Sequence, residues 1–260
     1  MSSQPKTIDL NADMGESFGP WTMGNDAALL DIVTSANVAC GFHAGDADTM
    51  AQTMSEAVRN GVGLGAHPGF ADLQGFGRRR VSLSPRELAN LVTYQLGAAQ
   101  AMARAAGGQL RHLKLHGALA NMASEDEAIA RACYEAALMV DPELVIFAIS
   151  GTAQERVARA LGCTWAGEIF ADRAYNDDAT LVSRGEPGAV IHDPAEAADR
   201  VLTMLHDGAL LAASGARIPA QIDTICLHGD GETALQMARH LKARLEGEGY
   251  ALAPAKGVRI

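Results

Sequence analysis

Along the chain, short apolar runs alternate with longer stretches in which apolar positions return at the spacing of one helix face. Residues 36–46, ANVACGFHAGD, show the repeating unit. The apolar run Ala36 to Cys40 ends in a glycine, a histidine, another glycine and an aspartate. Met50, Met54, Ala57 and Val58 then follow at helical spacing, with Asp46 where an N-cap belongs. This pattern predicts strand, polar turn and helix, with an imidazole at the junction. His67, His116 and His228 repeat it, each just after an apolar run and within two residues of a glycine. Four such turns predict parallel strands that deliver polar groups to a common end.

The same reading places strands over 7–13, 36–40, 62–66, 110–115, 144–149, 164–170 and 223–227. A short helix is expected over 26–34, and the helix after strand two ends near Asn60-Gly61. Ser84-Pro85-Arg86-Glu87 is a capping box with proline at the first helical position, opening a helix that runs to Gly107-Gly108. Ser124 and Glu127 read as a second capping box for a helix to Val140. Further helices are expected over 152–161, after Asp193-Pro194, and along Leu235, Ala238, Leu241 and Leu245; residues 171–193 read as a long irregular loop. Strands alternating with helices predict an α/β fold with a parallel sheet, closed into a seven-stranded β/α barrel. An open doubly wound sheet is the alternative that periodicity does not separate. No linker or composition shift divides the chain, so residues 1–260 are expected to form one β/α-barrel domain.

Two strands carry polar residues on one face. Asp9, Asn11 and Asp13 alternate with Ile8, Leu10 and Ala12, and His112, Lys114 and His116 alternate with Leu113 and Leu115. Successive strand side chains point to opposite faces, so each strand has a polar and an apolar stripe. In a helix-covered barrel the apolar stripe meets the helices and the polar stripe faces the interior, where an unpaired charge is costly. Lys114 therefore needs a buried partner, with Asp13 and Asn11 the nearest candidates.

Composition narrows the function classes. A chain of 260 residues has room for one barrel of this kind. The formal net charge of −10 argues against nucleic acid and anionic membrane surfaces as partners. Cys40, Cys133, Cys163 and Cys226 show no paired spacing, so neither a disulfide framework nor a zinc knuckle is indicated. The opening MSSQPKTIDL lacks an apolar signal core and no apolar stretch is long enough to span a bilayer, so a cytoplasmic protein is expected. No glycine-rich phosphate loop of the P-loop type is present.

Seven motifs, DLNADMGES (9–17), ACGFHAGD (39–46), GAHPGF (65–70), GFGRR (75–79), RHLKLHGAL (111–119), FADRAY (170–175) and CLHGDGE (226–232), together resemble the LamB/YcsF family. The family includes the A subunit of the bacterial ATP-dependent 5-oxoprolinase, and the resemblance runs from about residue 8 to 250. It implies a TIM-like barrel of the glycoside hydrolase/deacetylase type. It also implies that the lactam of 5-oxoproline is opened to L-glutamate at the expense of ATP, with Mg2+, together with partner subunits B and C. Two positions depart from the family's pattern. Leu115 stands where a proline is usual, which frees a backbone N–H, and Ala120 stands where a tyrosine is usual, which removes a ring and a hydroxyl.

Opening a stable amide with a poor leaving group needs a cation for phosphate or carboxylate, a base for water, and donors for developing negative charge. Lys114 with Arg78 or Arg79 fits the first need, Asp13 or Glu16 the second, and His43, His67, His116 and the glycine-turn N–H groups the third. Asn11, Asn121, Asp172, His228 and Asp230 are further substrate-binding candidates. Each has a plainer alternative. Asp13 caps a turn, His43 and His67 are satisfied structural histidines, Lys114 is an interior salt bridge to Asp9 or Asp13, and Arg78 to Arg80 are solvated. On that plainer reading His228, Asp230 and Glu232 simply cap a helix. Asp13, His43 and His67 could also hold a metal ion, as in open-sided hydrolytic sites. The competing functions are a metal-dependent deacetylase or amidohydrolase of the same barrel type, and a non-catalytic substrate-binding subunit.

Overall fold

The computed structural model describes residues 6–228 and 232–258. Its sheet closes because the first strand has a neighbour on each side. β1 (Lys6–Met14) is followed by α1 (Asp26–Leu30), β2 (Ser35–Ala39), α2 (Ala47–Arg59), β3 (Gly63–His67), α3 (Pro85–Ala105), β4 (Leu110–Lys114), α4 (Gly117–Glu125) and α5 (Glu127–Val140). β5 (Val145–Ile149), α6 (Ala153–Leu161), β6 (Trp165–Phe170) and α7 (Pro194–Asp207) come next, then β7 (Ala209–Leu211), β8 (Arg217–Pro219), β9 (Thr224–Leu227), α8 (Glu232–Gly247) and β10 (Tyr250–Leu252). β1 to β6 pair in sequence order, β6 pairs with β9, and β9 returns to β1 with Asn11 opposite Cys226. The result is a closed, seven-stranded parallel barrel surrounded by helices, the expected fold; the open sheet is ruled out by the β1–β9 pairing.

Strand alternation sorts the side chains as anticipated. Leu10, Ala12, Leu113 and Leu115 join the apolar layer beneath the helices, while Asp9, Asn11, His112 and Lys114 are buried in a polar interior. Local signals set the helix starts. Asp46 Oδ1 accepts from Thr49 N at 2.8 Å, and Ser84 and Glu87 form the reciprocal capping box. Asp193 caps α7, with Pro194 at its first position.

Four features differ from the sequence reading. Ser124 does not start a helix: it ends α4, its hydroxyl donating back to Ala120 O at 2.8 Å, and Asp126 caps α5 instead. α4 itself was not anticipated, because it begins straight after the strand and its N-cap, His116, makes no side-chain capping bond. The passage after α7 contains an antiparallel hairpin of β7 and β8. β10 adds to β1 below the barrel, pairing Lys6–Ile8 with Tyr250–Leu252. No helix among the described residues is long and apolar enough to cross a membrane.

Candidate active site at the barrel mouth

The interior is a continuous polar network that rises from the barrel floor to its C-terminal mouth. At the floor, Asp9 accepts from Thr34 Oγ1 at 2.5 Å, from Ser35 Oγ at 2.8 Å, and from the Thr224 hydroxyl. Burial outweighs these donors and pushes the Asp9 carboxyl up to about 6. One layer higher, the His112 Nε2–H donates to Asn37 Oδ1 at 2.8 Å. That contact turns the Asn37 amide nitrogen toward Asn11 Oδ1 at 2.7 Å and Asp13 Oδ1 at 2.9 Å. The His112 ring lies over Phe147, with centroids 4.1 Å apart. Burial, with the Lys114 charge adding to it, lowers the His112 imidazolium pKa to about 3.

Lys114 stands at the centre. Its Nζ lies 2.9 Å from Asp13 Oδ1, 3.0 Å from Glu168 Oε1, 3.2 Å from Asn11 Oδ1 and 2.8 Å from Cys226 Sγ. Burial alone would strip the ammonium of its proton, but Asp13, Cys226 and Glu168 outweigh it and hold Lys114 well above the usual lysine range. Burial likewise opposes ionisation of Asp13; His67 and Lys114 overcome it, so Asp13 stays well below the usual carboxylate range. For Glu168 burial wins over Lys114, and its carboxyl is raised. The interior thus holds a fixed ammonium–carboxylate pair beside an acid that gives up its proton reluctantly.

Three imidazoles cluster beside this pair. His43 and His116 stack with centroids 3.6 Å apart, and His67 stands edge-on to both. The loop after β3 comes so close that a Cβ on Gly69 would lie 2.7 Å from His43 Nδ1. A Cβ on Gly77, at φ +61°, would lie 2.7 Å from His43 Cβ and 2.8 Å from His116 Cδ2. Glycine at these positions is what lets the loop cover the rings. Burial, then the neighbouring His116 and His67, drives the His43 imidazolium pKa well down, and burial with His67 lowers that of His116 to about 3. Ligand atoms of Glu16, His43, His67 and His116 all lie within 4.8 Å of one another, as do those of Asp13, Cys226 and His228. Of the three residues considered for a metal, His43 and His67 share one set and Asp13 falls in the other.

Above both groups opens a cavity of about 390 Å³. Asp13, Glu16, His67, Lys114, His116, Asn121, Arg78 and His228 line it, so most of the anticipated residues converge there. His43 sits beneath it, fully buried, and Asn11 lies deeper, under Lys114. Asp172 reaches the cavity through His228, whose Nδ1 is 2.8 Å from its carboxylate. Arg79 turns away from the cavity to pair with Asp72, its Nε 2.9 Å from Oδ1. Asp230 lies outside the described residues. The two departures, Leu115 and Ala120, are both in the cavity wall.

The site also includes Asn37, Glu168, Arg173 and Arg184, none of which stands out in the sequence, and Arg80, read there as solvated. Arg80 lines the rim and pairs with Glu125, with Nη1 at 3.0 Å from Oε1. Arg173 is buried in the wall and pinned to the 171–193 loop, its Nη2 donating to Val182 O at 2.6 Å. Asn37 and Glu168 each interrupt an apolar strand at an inward position, the same alternation that singled out Lys114.

The LamB/YcsF family model matches residues 8–259. The chain belongs to the LamB/YcsF family. A relative from Ruegeria pomeroyi, named as the A subunit of 5-oxoprolinase, is 63% identical over 245 residues, covering 94% of this chain and 97% of that protein. A protein of the same name from Rhodopseudomonas palustris strain BisA53 is 55% identical over 249 residues, covering 95% and 98%. Among solved structures, the lactam utilization protein from Thermus thermophilus superposes with a TM-score of 0.88 at 41% identity, covering 95% of this chain and 99% of its own. The catalytic domain of a peptidoglycan N-acetylglucosamine deacetylase from Eubacterium rectale shares the fold alone, at a TM-score of 0.51 and 12% identity over 98% of this chain and 91% of that one. Within the motifs that carry the resemblance, Asp13, His67, Lys114, His116 and His228 line this cavity.

Proposed function

We propose that this chain is the lactam-opening subunit of an ATP-dependent 5-oxoprolinase, converting 5-oxoproline to L-glutamate with two partner subunits, B and C, in the cytoplasm. The observation that carries the reading is the Lys114–Asp13 pair at the foot of a cavity whose wall holds Arg78, Arg80, Arg173 and Arg184. Such a mouth suits a small anionic substrate with a phosphate beside it. Near-complete alignment with relatives that carry the 5-oxoprolinase name supports the same substrate.

The chemistry follows from the amide. ATP, with Mg2+, would supply the phosphoryl group that activates the ring amide oxygen. Water would then add to the activated carbon and the ring C–N bond break, freeing the amine and leaving an acyl phosphate, which a second water would hydrolyse to the new carboxylate and inorganic phosphate. Lys114 and the arginines stabilise the charge that gathers on oxygen during these steps. Asp13 is held as a carboxylate, so its role is to fix the ammonium and orient the attacking water, and Glu16 is the second carboxylate within reach of the cavity.

Reconstitution tests the reading. Glutamate formed from 5-oxoproline is measured with this chain alone and with candidate B and C chains, each with and without ATP. The isolated chain should turn over negligibly and the complex should require ATP. ATP-independent turnover by the isolated chain would instead favour the amidohydrolase reading.

A further inference from the structure

With all three rings neutral, the hydrogen bonds of the histidine cluster do not add up. His67 Nδ1 lies 2.8 Å from Lys114 O, and His116 Nε2 lies 2.8 Å from Phe76 O. A carbonyl oxygen can only accept, so both nitrogens must carry hydrogen. In neutral rings this leaves His67 Nε2 and His116 Nδ1 as lone pairs, and they face each other at 3.1 Å. Asp13 Oδ2, another acceptor, is 3.2 Å from His67 Nε2. Glu16 Oε1 lies 3.9 Å from His116 Nδ1 and 3.8 Å from His43 Nε2. Neither ring nitrogen of the fully buried His43 has a hydrogen-bond partner among the described residues.

We infer that Glu16, His43, His67 and His116 form a binding site for one divalent transition-metal ion, of the kind zinc represents. Three imidazoles and one carboxylate are a donor set for such ions and a poor one for magnesium or calcium. Two of the imidazoles are fixed through their far nitrogens by backbone carbonyls, the outer contact that orients metal-binding histidines. An added proton on His67 Nε2 would serve His116 and Asp13 and still leave His43 unserved, whereas one metal ion serves His43 together with the other three residues. Neighbouring ligand atoms in a tetrahedral zinc site lie about 3.3 Å apart. The His67–His116 spacing is near that already, and His43 must swing off its stack on His116 for its lone pair to meet the same ion. The second set, Asp13, Cys226 and His228, takes no metal, because Lys114 Nζ already stands 2.9 Å from Asp13 and 2.8 Å from Cys226.

Glu16, His67 and His116 line the same cavity, but metal binding there does not depend on the reaction proposed above, and its test does not read activity. The full chain, stripped with a chelator, is titrated with Zn2+ against a competing chelator, and bound metal is counted by elemental analysis. One tightly held ion per chain is expected. His116→Gln and His43→Ala each remove a ligand and should weaken binding by at least the roughly 10–100-fold that losing an outer contact costs, while Cys226→Ser leaves it unchanged, with circular dichroism confirming folded protein. A Co2+-loaded chain should show the visible bands of nitrogen-rich coordination, and these should be lost in His116→Gln. If the wild-type chain binds no stoichiometric ion, or if the folded histidine variants bind as tightly as wild type, the inference is overturned. Should a variant fail to fold, the wild-type stoichiometry and the cobalt spectrum still decide.

Discussion

His112 shows how a single buried side chain sets a pH limit. Its Nε2–H orients Asn37, which in turn orients Asn11 and Asp13, so the ring is needed in its neutral form. In the folded chain the imidazolium pKa is held down to about 3, against an ordinary value near 6.5. A base with a depressed folded pKa contributes its stability fully above its unfolded pKa and loses it as pH falls toward the folded value. Between about pH 6.5 and 3, this one residue should cost about 1.4 kcal/mol of stability per pH unit. His112→Gln keeps a donor for Asn37 but does not titrate. Urea unfolding from pH 7 to 4 should therefore show a shallower loss in the variant, by about one proton's worth of slope. Parallel slopes would mean that His112 is not buried in its neutral form.

At the scale of elements, the loop between β3 and α3 matters because its glycines let backbone lie against rings. Gly77→Ala combines a left-handed φ of +61° with a Cβ 2.7 Å from His43 Cβ. The backbone term costs about 1–2 kcal/mol, and the displaced rings should cost activity as well. Gly107, at φ +81° after α3, has no atom within 4 Å of its would-be Cβ. Gly107→Ala should lower Tm through the backbone term alone and leave turnover of the assembled complex intact; equal turnover in both variants would show that the loop does not shape the site. Elements were legible wherever a pattern was long enough to read. Seven strands and the Asp46, Ser84 and Asp193 caps stand in the sequence because alternation and capping chemistry act locally. β7, β8 and β10 are too short to carry a period. α4 gave no start signal, and Ser124 resembled a cap while serving the end of a helix. The site was legible through its polar stripes, which placed Lys114 beside Asp13 and Asn11. Glu168 and Asn37 were hidden as lone polar residues in apolar strands, and nothing local distinguishes Arg78, which lines the cavity, from Arg79, which pairs with Asp72.

For the whole molecule, barrel closure is what turns local patterns into a site. The β1–β9 pairing brings Asn11 opposite Cys226 and so sets β1, β4, β6 and β9 around one ammonium. Losing the Asp13 charge is tolerable to the fold because other acceptors remain: in Asp13→Asn, Lys114 keeps Glu168 Oε1 at 3.0 Å and Asn11 Oδ1 at 3.2 Å. The same substitution removes one of the two carboxylates, Asp13 and Glu16, at the reacting end of the cavity. Glutamate formation from 5-oxoproline and ATP by the assembled complex, wild type against Asp13→Asn, is therefore the most direct measurement of whether this barrel mouth is where the lactam opens. A loss of about a hundredfold or more is expected, with the complex still assembling and this chain's Tm little changed. Turnover within about threefold of wild type in an intact complex would contradict it, and would leave this chain a substrate-binding subunit whose chemistry is done elsewhere.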